Sequence, residues 1–317
     1  MNTDRIREFR MGDIQGIKRV FRSWWAGEDR RITELTETTY FDPNGLFVAE
    51  RNKEILGFSY AYVDPRIINK PGRKLGFLSG IFTLPHIPEV AVRLLERSTQ
   101  YLRELKATEI GIPDFSNSLG DGVSAERDSE LYRLYRDAGF SIYTHSYQMS
   151  RSLEDLAVPQ WVKNRREAIL ADGFLLRKAK KDDARALIEL SEEAFKESHD
   201  HIPKSKDDRE LAMKEMDLRI AKTVLFENDC RVVGSSDFSI EKYGKVVVGY
   251  PCVAVLPTYR NKGLGTVLFW DTLGRLKESG MSIAAVSVVS KNYPAVHMYR
   301  KAGFNIDKIW YHLRKNI

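Results

Sequence analysis

Cysteine is scarce in this chain of 317 residues, which contains Cys230 and Cys252 and no other thiol. Two cysteines cannot build a disulfide framework, and neither has the spacing or the histidine partners of a zinc site. We therefore expect both to be small buried side chains, and we expect no metal centre.

Long apolar runs are also missing. No segment approaches the ~20 apolar residues of a membrane-spanning helix, and residues 1–5 (MNTDR) lack the apolar core of a signal peptide. The sequence therefore predicts a cytoplasmic protein without a membrane partner.

A concentrated basic tract is the third absence. The 50 lysines and arginines exceed the 44 acidic residues by a net charge of +6, and they are dispersed along the chain. Nucleic-acid binding usually shows a basic stripe, often with interleaved aromatic residues. We expect no nucleic-acid partner, and the pI of about 9.1 alone supports a nucleic-acid-modifying protein only weakly.

The chain contains an internal repeat. Residues 135–140 (YRDAGF) match 299–304 (YRKAGF), residues 80–85 match 252–257, and residues 50–57 (ERNKEILG) match 227–234 (ENDCRVVG). The matched segments follow the same order at slowly drifting offsets, which indicates a duplicated domain with loop insertions. The length suits two domains of roughly 150 residues.

Both copies show the same order of elements. An opening strand and an amphipathic helix precede a charged hairpin, and an apolar strand ending at Pro85 or Pro257 leads into a long helix. A further strand, a short helix ending at Ala-Gly-Phe and a final strand complete each copy. We place domains at 1–151 and 173–317, with a partly helical linker at 152–172.

The second copy carries the motif Arg260-x-x-Gly263-x-Gly265 between an apolar strand and a helix. Glycines let the backbone approach a ligand, and amides at a helix start converge with the helix dipole on an anion. The loop therefore predicts a phosphate or diphosphate site. A turn that merely caps the helix is the alternative, and the glycine spacing of a Rossmann site is absent.

A second motif follows downstream and has the pattern Asn-x-x-Ala-x-x-x-Tyr-x-x-x-Gly-Phe. Its fixed positions are Asn292, Ala295, Tyr299, Gly303 and Phe304. With both motifs in register, residues 172–317 resemble the GNAT acyltransferase superfamily. The resemblance implies a mixed α/β (α+β) fold with a mostly antiparallel sheet flanked by helices. It also implies N-acetyl transfer from acetyl-CoA to an amine, by direct attack in a ternary complex and without a metal.

The resemblance also assigns roles to individual residues. Main-chain amides from Arg260 to Gly265 would hold the diphosphate of coenzyme A. The main-chain groups of Val253 and Val255 would bind the pantetheine arm. Asn292 would lie where the fifth strand of this copy separates from the fourth. Tyr299 would protonate the departing thiolate. The implied cofactor-binding set is Val253, Val255, Arg260, Asn261, Lys262, Gly263, Leu264, Gly265, Thr266, Asn292 and Tyr299.

The general base stays open. Residues 246–252 contain no carboxylate, so Asp237 and Glu241 on the preceding strand are candidates, together with His199, Asp200 and His201. The absent carboxylate favours the alternative of a non-catalytic acyl-CoA sensor or interaction module. Two histidines without a third ligand are weak evidence for a metal.

The first copy lacks the glycine loop. At an offset of 172, Arg260, Gly263 and Gly265 correspond to Pro88, Ala91 and Arg93. Proline removes an amide and side chains replace both glycines, so we expect a degenerate domain that binds no coenzyme A. The tandem layout is similar to that of the mycothiol synthases. We expect a monomer or homodimer acting on an amine-bearing small molecule or peptide.

Overall fold

The computed structural model describes residues 4–24, 30–37, 41–64, 72–85, 87–112, 123–124, 129–195, 213–214, 216–243 and 246–317. The strands are β1 (Arg5–Glu8), β2 (Leu46–Arg51), β3 (Glu54–Tyr62), β4 (Leu75–Thr83), β5 (Glu109–Ile112), β6 (Ser141–Ser152), β7 (Leu175–Lys178), β8 (Val224–Asn228), β9 (Arg231–Tyr243), β10 (Val246–Val255), β11 (Ile283–Val289) and β12 (Asn305–Asn316). The helices are α1 (Ile14–Trp24), α2 (Arg30–Glu37), α3 (Pro88–Glu104), α4 (Ser129–Asp137), α5 (Gln160–Ala171), α6 (Ala184–Phe195), α7 (Leu264–Glu278) and α8 (Tyr293–Lys301). None of the helices in this part of the chain is long and apolar enough to cross a membrane.

The chain divides into two compact units. The first has the strand order β1-β2-β3-β4-β5-β12, and the second has the order β6-β11-β10-β9-β8-β7. Within each unit a parallel pair, β4 with β5 or β10 with β11, interrupts antiparallel neighbours. The predicted mixed, mostly antiparallel sheet flanked by helices is confirmed.

The final strand of each copy is divided between the two units: β6 continues into the second unit at Gln148, and β12 continues into the first unit at Lys308. Gln148–Asp307 forms the second unit, and Lys308–Ile317 joins the first, where Leu313 pairs with Ile112. The compact units therefore differ from the sequence-based ranges at both of these strands and in the linker, where α5 belongs to the second unit. The assignment of a degenerate and a catalytic domain concerns function and stays a prediction.

The same ionic cluster opens both units. Arg177 donates to Asp183 at 2.7 and 2.8 Å and to Glu227 at 2.7 Å. Arg7 makes the equivalent bonds, at 2.7 and 2.8 Å to Asp13 and 2.7 Å to Glu50. In each case the aspartate also accepts the amide of the residue three positions before it, at 2.7 Å. The shared geometry supports duplication of the whole opening segment.

Asp183→Asn tests what this cluster contributes to stability. The bonds from Arg177 hold the pKa of Asp183 below its ordinary value of 3.8. We expect the variant to lose about 1–3 kcal/mol of unfolding free energy at pH 7. A carboxyl group whose pKa is lower in the folded protein than in the unfolded chain stabilises the fold at pH values above its unfolded pKa. This stabilisation is lost as the pH falls through the folded pKa. The difference from the parent should therefore shrink below about pH 4.

Urea unfolding at pH 7 and at pH 3 measures both values. Asp182→Asn is the matched control, because Asp182 is the exposed neighbour of Asp183. Equal unfolding free energies for the two variants at pH 7 would contradict a stabilising role for the cluster.

The core of the second unit holds α7 against β10. Leu264, Val267 and Leu268 lie in one buried cluster with Phe226 and Val233. At Gly249 a methyl group would come within 2.3 Å of the Leu276 side chain, so β10 and α7 pack too closely for a larger residue. This packing fixes the start of α7 beside the end of β10.

Candidate functional site

The loop between β10 and α7 begins with a 3₁₀ turn, Pro257–Tyr259, and ends at Gly263. Asn261 has φ of 64° and Gly263 has φ of 88°, so both lie in the left-handed region. No side chain caps the helix, and its first backbone bond runs from Val267 N to Gly263 O at 3.1 Å. The helix therefore uses none of the amides of Leu264, Gly265 and Thr266. Such a start attracts an anion.

The loop is open to solvent. Asn261 and Lys262 are exposed, and Gly263, Gly265 and Thr266 are partly exposed. Leu264 is the exception, at 1% exposure, because its side chain anchors the helix in the core. The glycine loop is therefore accessible to a ligand.

Arg260 has a different role from its neighbours. Its amide donates to Pro257 O at 3.2 Å, and its guanidinium donates to Ala194 O at 2.7 Å. Both groups thus bind protein: the amide closes the 3₁₀ turn and the side chain ties the loop to the end of α6. The amides that remain for a diphosphate start at Asn261, and Arg260 positions the loop.

β10 and β11 part beyond their first contact. Their parallel register is formed at Gly249 and Ala284, the pair recorded among the described residues. Leu256 N donates to Val233 O at 3.0 Å, which shows that the main-chain groups of Leu256 point towards β9. Because successive residues of a strand point to opposite neighbours, the main-chain groups of Val253 and Val255 face the β11 side. We call this opening between β10 and β11 the acyl slot.

Asn292 begins the helix that follows β11. Its Oδ1 accepts a hydrogen bond from Ala295 N at 3.4 Å, and Pro294 lies in the first turn of α8. Asn292 therefore caps α8, a role that the motif did not predict. The cap helps to fix the helix that carries Tyr299.

Tyr299 packs between two rings, with centroids 5.0 Å from Phe269 and 6.0 Å from Phe304. The side chain is partly exposed. Enclosure by protein raises the pKa of its hydroxyl, and the nearby Cys252 thiol adds to the shift. Its counterpart Tyr135 packs on Phe140 at 5.5 Å but is 0% exposed. The second copy thus brings to an opening a ring that the first copy buries.

Both cysteines are exposed, so the expectation of buried thiols is wrong. Cys230 lies in the turn between β8 and β9, and Cys252 pairs across the sheet with Asp237. Cys252 reaches solvent, yet the protein atoms around it and the charge of Asp237 raise its pKa to about 11. The thiol proton therefore stays in place at neutral pH.

The candidate bases lie in different surroundings. Asp237 is 8% exposed, and Arg219 Nη2 binds both of its oxygens, at 2.6 and 2.5 Å. The positive charge of Arg219 favours the Cys252 thiolate and so partly opposes the rise in the pKa of that thiol. Glu241 lies farther along β9, opposite Val248. His199, Asp200 and His201 lie outside the described residues.

No three His, Cys, Asp or Glu side chains within the described residues are arranged to hold a metal ion. The sequence did not single out Arg219. It precedes the strand hairpin by several residues and belongs to neither motif.

The first unit is filled where the second is open. Tyr60 pairs with Gly80 at the position equivalent to Asp237 and Cys252. Tyr60 is 2% exposed and stacks on Tyr62 at 5.1 Å. Aromatic rings thus occupy the space that small polar groups line in the second unit.

The strand-to-helix loop is also shorter in the first unit. There β4 ends at Thr83 and α3 begins at Pro88, whereas in the second unit β10 ends at Val255 and α7 begins at Leu264. The offset of 172 therefore misplaces Ala91 and Arg93, which lie inside α3 rather than in a loop. The loop itself is shortened, and this supports the prediction that the first copy holds no diphosphate.

Comparison with known proteins gives a family match. Residues 184–304 match the model described as the acetyltransferase (GNAT) family. No curated protein sequence gives a significant match.

Solved structures match nearly the whole chain. The GCN5-related N-acetyltransferase from Sphaerobacter thermophilus has a TM-score of 0.69 at 15% identity, covering 99% of this chain and 95% of that one. A tandem GNAT protein from the clavulanic acid biosynthesis pathway has a TM-score of 0.63 at 12% identity, covering 99% and 98%.

A third structure has a TM-score of 0.74 at 14% identity and covers 99% of this chain. It is the GCN5-related glucosamine N-acetyltransferase region of a fungal multi-domain β-N-acetylglucosaminidase, and the match spans only 38% of that longer chain. At these identities the likeness shows the fold alone, and it does not test a specific relation to the mycothiol synthases. Together with the family model, it shows that residues 184–304 form a domain of the GNAT type.

Proposed function

We propose that the second copy transfers an acetyl group from acetyl-CoA to an amine by direct attack in a ternary complex. The observation that carries the proposal is one juxtaposition. An open left-handed loop at the start of α7 follows a strand that parts from its neighbour, and Tyr299 interacts electrostatically with Cys252 on that strand.

The loop would bind the diphosphate through its main-chain amides. This is supported by the start of α7, which has no side-chain cap and leaves the amides of its first turn without a partner in the helix. Val253 and Val255 would bond the amide groups of the pantetheine arm, much as a strand would. The thioester would then lie in the acyl slot, near Cys252 and Tyr299.

The chemistry needs two proton transfers. The amine nitrogen forms a bond to the thioester carbonyl carbon, the C–S bond breaks, and its electron pair leaves on sulfur. Tyr299 would donate its hydroxyl proton to that thiolate. The nitrogen loses its proton to a base or to water, and Asp237 can accept it only after separating from Arg219.

The occupied carboxylate favours a second candidate, an acyl-CoA sensor without catalysis. Release of free thiol from acetyl-CoA distinguishes the two when amines, amino acids, polyamines, aminoglycosides and peptides are offered in turn. Glucosamine joins this panel because one structural neighbour is a glucosamine N-acetyltransferase region. Thiol release above background with any acceptor supports the enzyme. Saturable binding without release with every acceptor supports the sensor.

Alkylation of Cys252 tests whether the acyl slot takes the thioester end. Because the pKa of this thiol is about 11, roughly one in 3,000 is ionised at pH 7.5. We expect slow reaction with iodoacetamide, rising about tenfold per pH unit below pH 11. Bound acetyl-CoA should slow the reaction further by covering the thiol.

Peptide mass spectrometry follows the two cysteines separately, so Cys230 is the internal reference. Its rate should not change with acetyl-CoA, because it lies in the turn between β8 and β9. Equal rates for Cys252 with and without saturating acetyl-CoA would place the thioester elsewhere.

A further inference from the structure

The helix that joins the two copies reaches the glycine loop. A methyl group built on Gly263 would lie 2.8 Å from Arg165 Cδ, 3.0 Å from Cγ and 3.2 Å from Nε. Arg165 belongs to α5, in the segment that the sequence assigned to a linker. The side chain of Arg165 therefore lies directly over the loop.

α5 holds Arg165 in place through its buried face. Val162 and Ile169 are 3% exposed each and fix the helix on the second unit. Arg165 itself is exposed. The helix is thus anchored while the arginine remains accessible to a ligand.

The basic side chains around the loop differ in their contacts. Arg260 donates to Ala194 O, and the ammonium of Lys262 lies over the Tyr259 ring at 5.1 Å. Among the described residues, none forms an ion pair or hydrogen bond with the Arg165 guanidinium. A positive charge thus lies over amides that themselves attract an anion.

We propose that Arg165 binds the diphosphate of coenzyme A, so that α5 forms part of the cofactor site. The inference rests on the proposed function and adds a residue to its site. A guanidinium presents its donors in a planar fork that matches phosphate oxygens. Gly263 is the last residue of the loop and precedes the free amides at the start of α7, so a side chain above it faces the group that these amides would hold. The helix between the copies thereby acquires a role in binding.

Isothermal titration of the full chain with three ligands tests this assignment. Acetyl-CoA carries the diphosphate and the 3′-phosphate, acetyl-dephospho-CoA carries the diphosphate alone, and acetylpantetheine carries neither. We expect Arg165→Ala to weaken binding of the first two by about tenfold and to leave binding of acetylpantetheine unchanged. Arg165→Lys should retain part of the affinity, because a point charge replaces the fork.

Lys163→Ala is the matched control. It removes the same charge from an exposed position of α5, on the opposite face of the helix two residues away. We expect it to bind all three ligands as the parent does, and thermal unfolding checks that both variants are folded.

Each other outcome overturns a stated part. Parent-like affinity of Arg165→Ala for acetyl-CoA removes Arg165 from the site while the proposed function stands. A loss seen with acetyl-CoA but not with acetyl-dephospho-CoA rules out the diphosphate contact. Equal losses of acetyl-CoA affinity in Arg165→Ala and Lys163→Ala would mean that the loss reflects the overall positive charge of α5 and not a contact made by Arg165. If the parent binds none of the three ligands, the proposed function fails as well.

Discussion

Gly263→Asp is expected to weaken acetyl-CoA binding by at least about 100-fold. Three effects act together at this position. The backbone has φ of 88°, which an aspartate adopts only with strain, and a Cβ would come within 2.8 Å of Arg165 Cδ. The new carboxylate would also repel the diphosphate from the loop amides. Equilibrium binding by titration calorimetry measures the loss.

Gly280→Asp separates strain and charge from position. Gly280 lies just beyond the other end of α7 with φ of 81°, and a Cβ there would meet nothing within 4 Å. The substitution introduces a similar backbone strain and the same charge far from the loop. We expect acetyl-CoA to bind this variant as it binds the parent. Tight binding by Gly263→Asp would mean that the loop is a helix cap and nothing more.

The order of elements was predictable from local signals. Alternating and helical apolar patterns mark the strands and helices, and the repeat shows that the list of elements occurs twice. Gly263 lies at the start of α7 and Tyr299 lies on α8, because each motif is a local strand-to-helix segment, and the roles of both residues stay predictions. Such short segments keep their geometry with little help from the rest of the chain.

Long-range arrangements were not predictable from the same signals. Lys308–Ile317 joins the unit of the other copy, because strand pairing depends on partners distant in sequence. Arg165 lies far along the chain from Gly263, and only the packing of α5 brings the two together. A sequence pattern carries no information about either contact.

Two errors have local physical causes. The alignment of Ala91 and Arg93 with the glycines assumed loops of equal length, whereas α3 begins directly at Pro88. The thiol of Cys252 was expected to be buried because two cysteines offer neither a disulfide framework nor the spacing of a zinc site. It lies instead on a strand whose neighbour has turned away, next to Asp237 and Arg219. The charged pair that keeps this region polar was visible only in the structure.

Duplication also supplies an internal comparison for catalysis. Tyr135 and Tyr299 occupy matching positions before Ala-Gly-Phe, and each packs on the phenylalanine that follows. A role in packing alone would apply to both rings. The two differ in exposure, since Tyr135 is fully buried and Tyr299 is partly exposed. A difference in function between them therefore isolates the Tyr299 hydroxyl.

Tyr299→Phe is expected to lower kcat by about 100-fold with little change in the affinity for acetyl-CoA. The hydroxyl has no part in holding the diphosphate, so its loss should affect the step in which the C–S bond breaks. The raised pKa keeps the phenol protonated between pH 7 and 9. A phenol with a raised pKa can still donate its proton here. The thiolate forms in the same enclosed slot, so the proton affinity of the thiolate is raised as well. Over that range the pH profile of the parent should report the base alone.

Tyr135→Phe is the control, with the same atom removed from the first copy. We expect its kcat to equal that of the parent, whatever the change in stability. Steady-state kinetics and calorimetric binding of acetyl-CoA on both variants give the comparison, once an acceptor is known from thiol release. Unchanged kcat in Tyr299→Phe would remove the hydroxyl from the mechanism, and equal losses in the two variants would make both tyrosines structural. A loss confined to Tyr299→Phe, with affinity retained, identifies the group that protonates coenzyme A as it leaves.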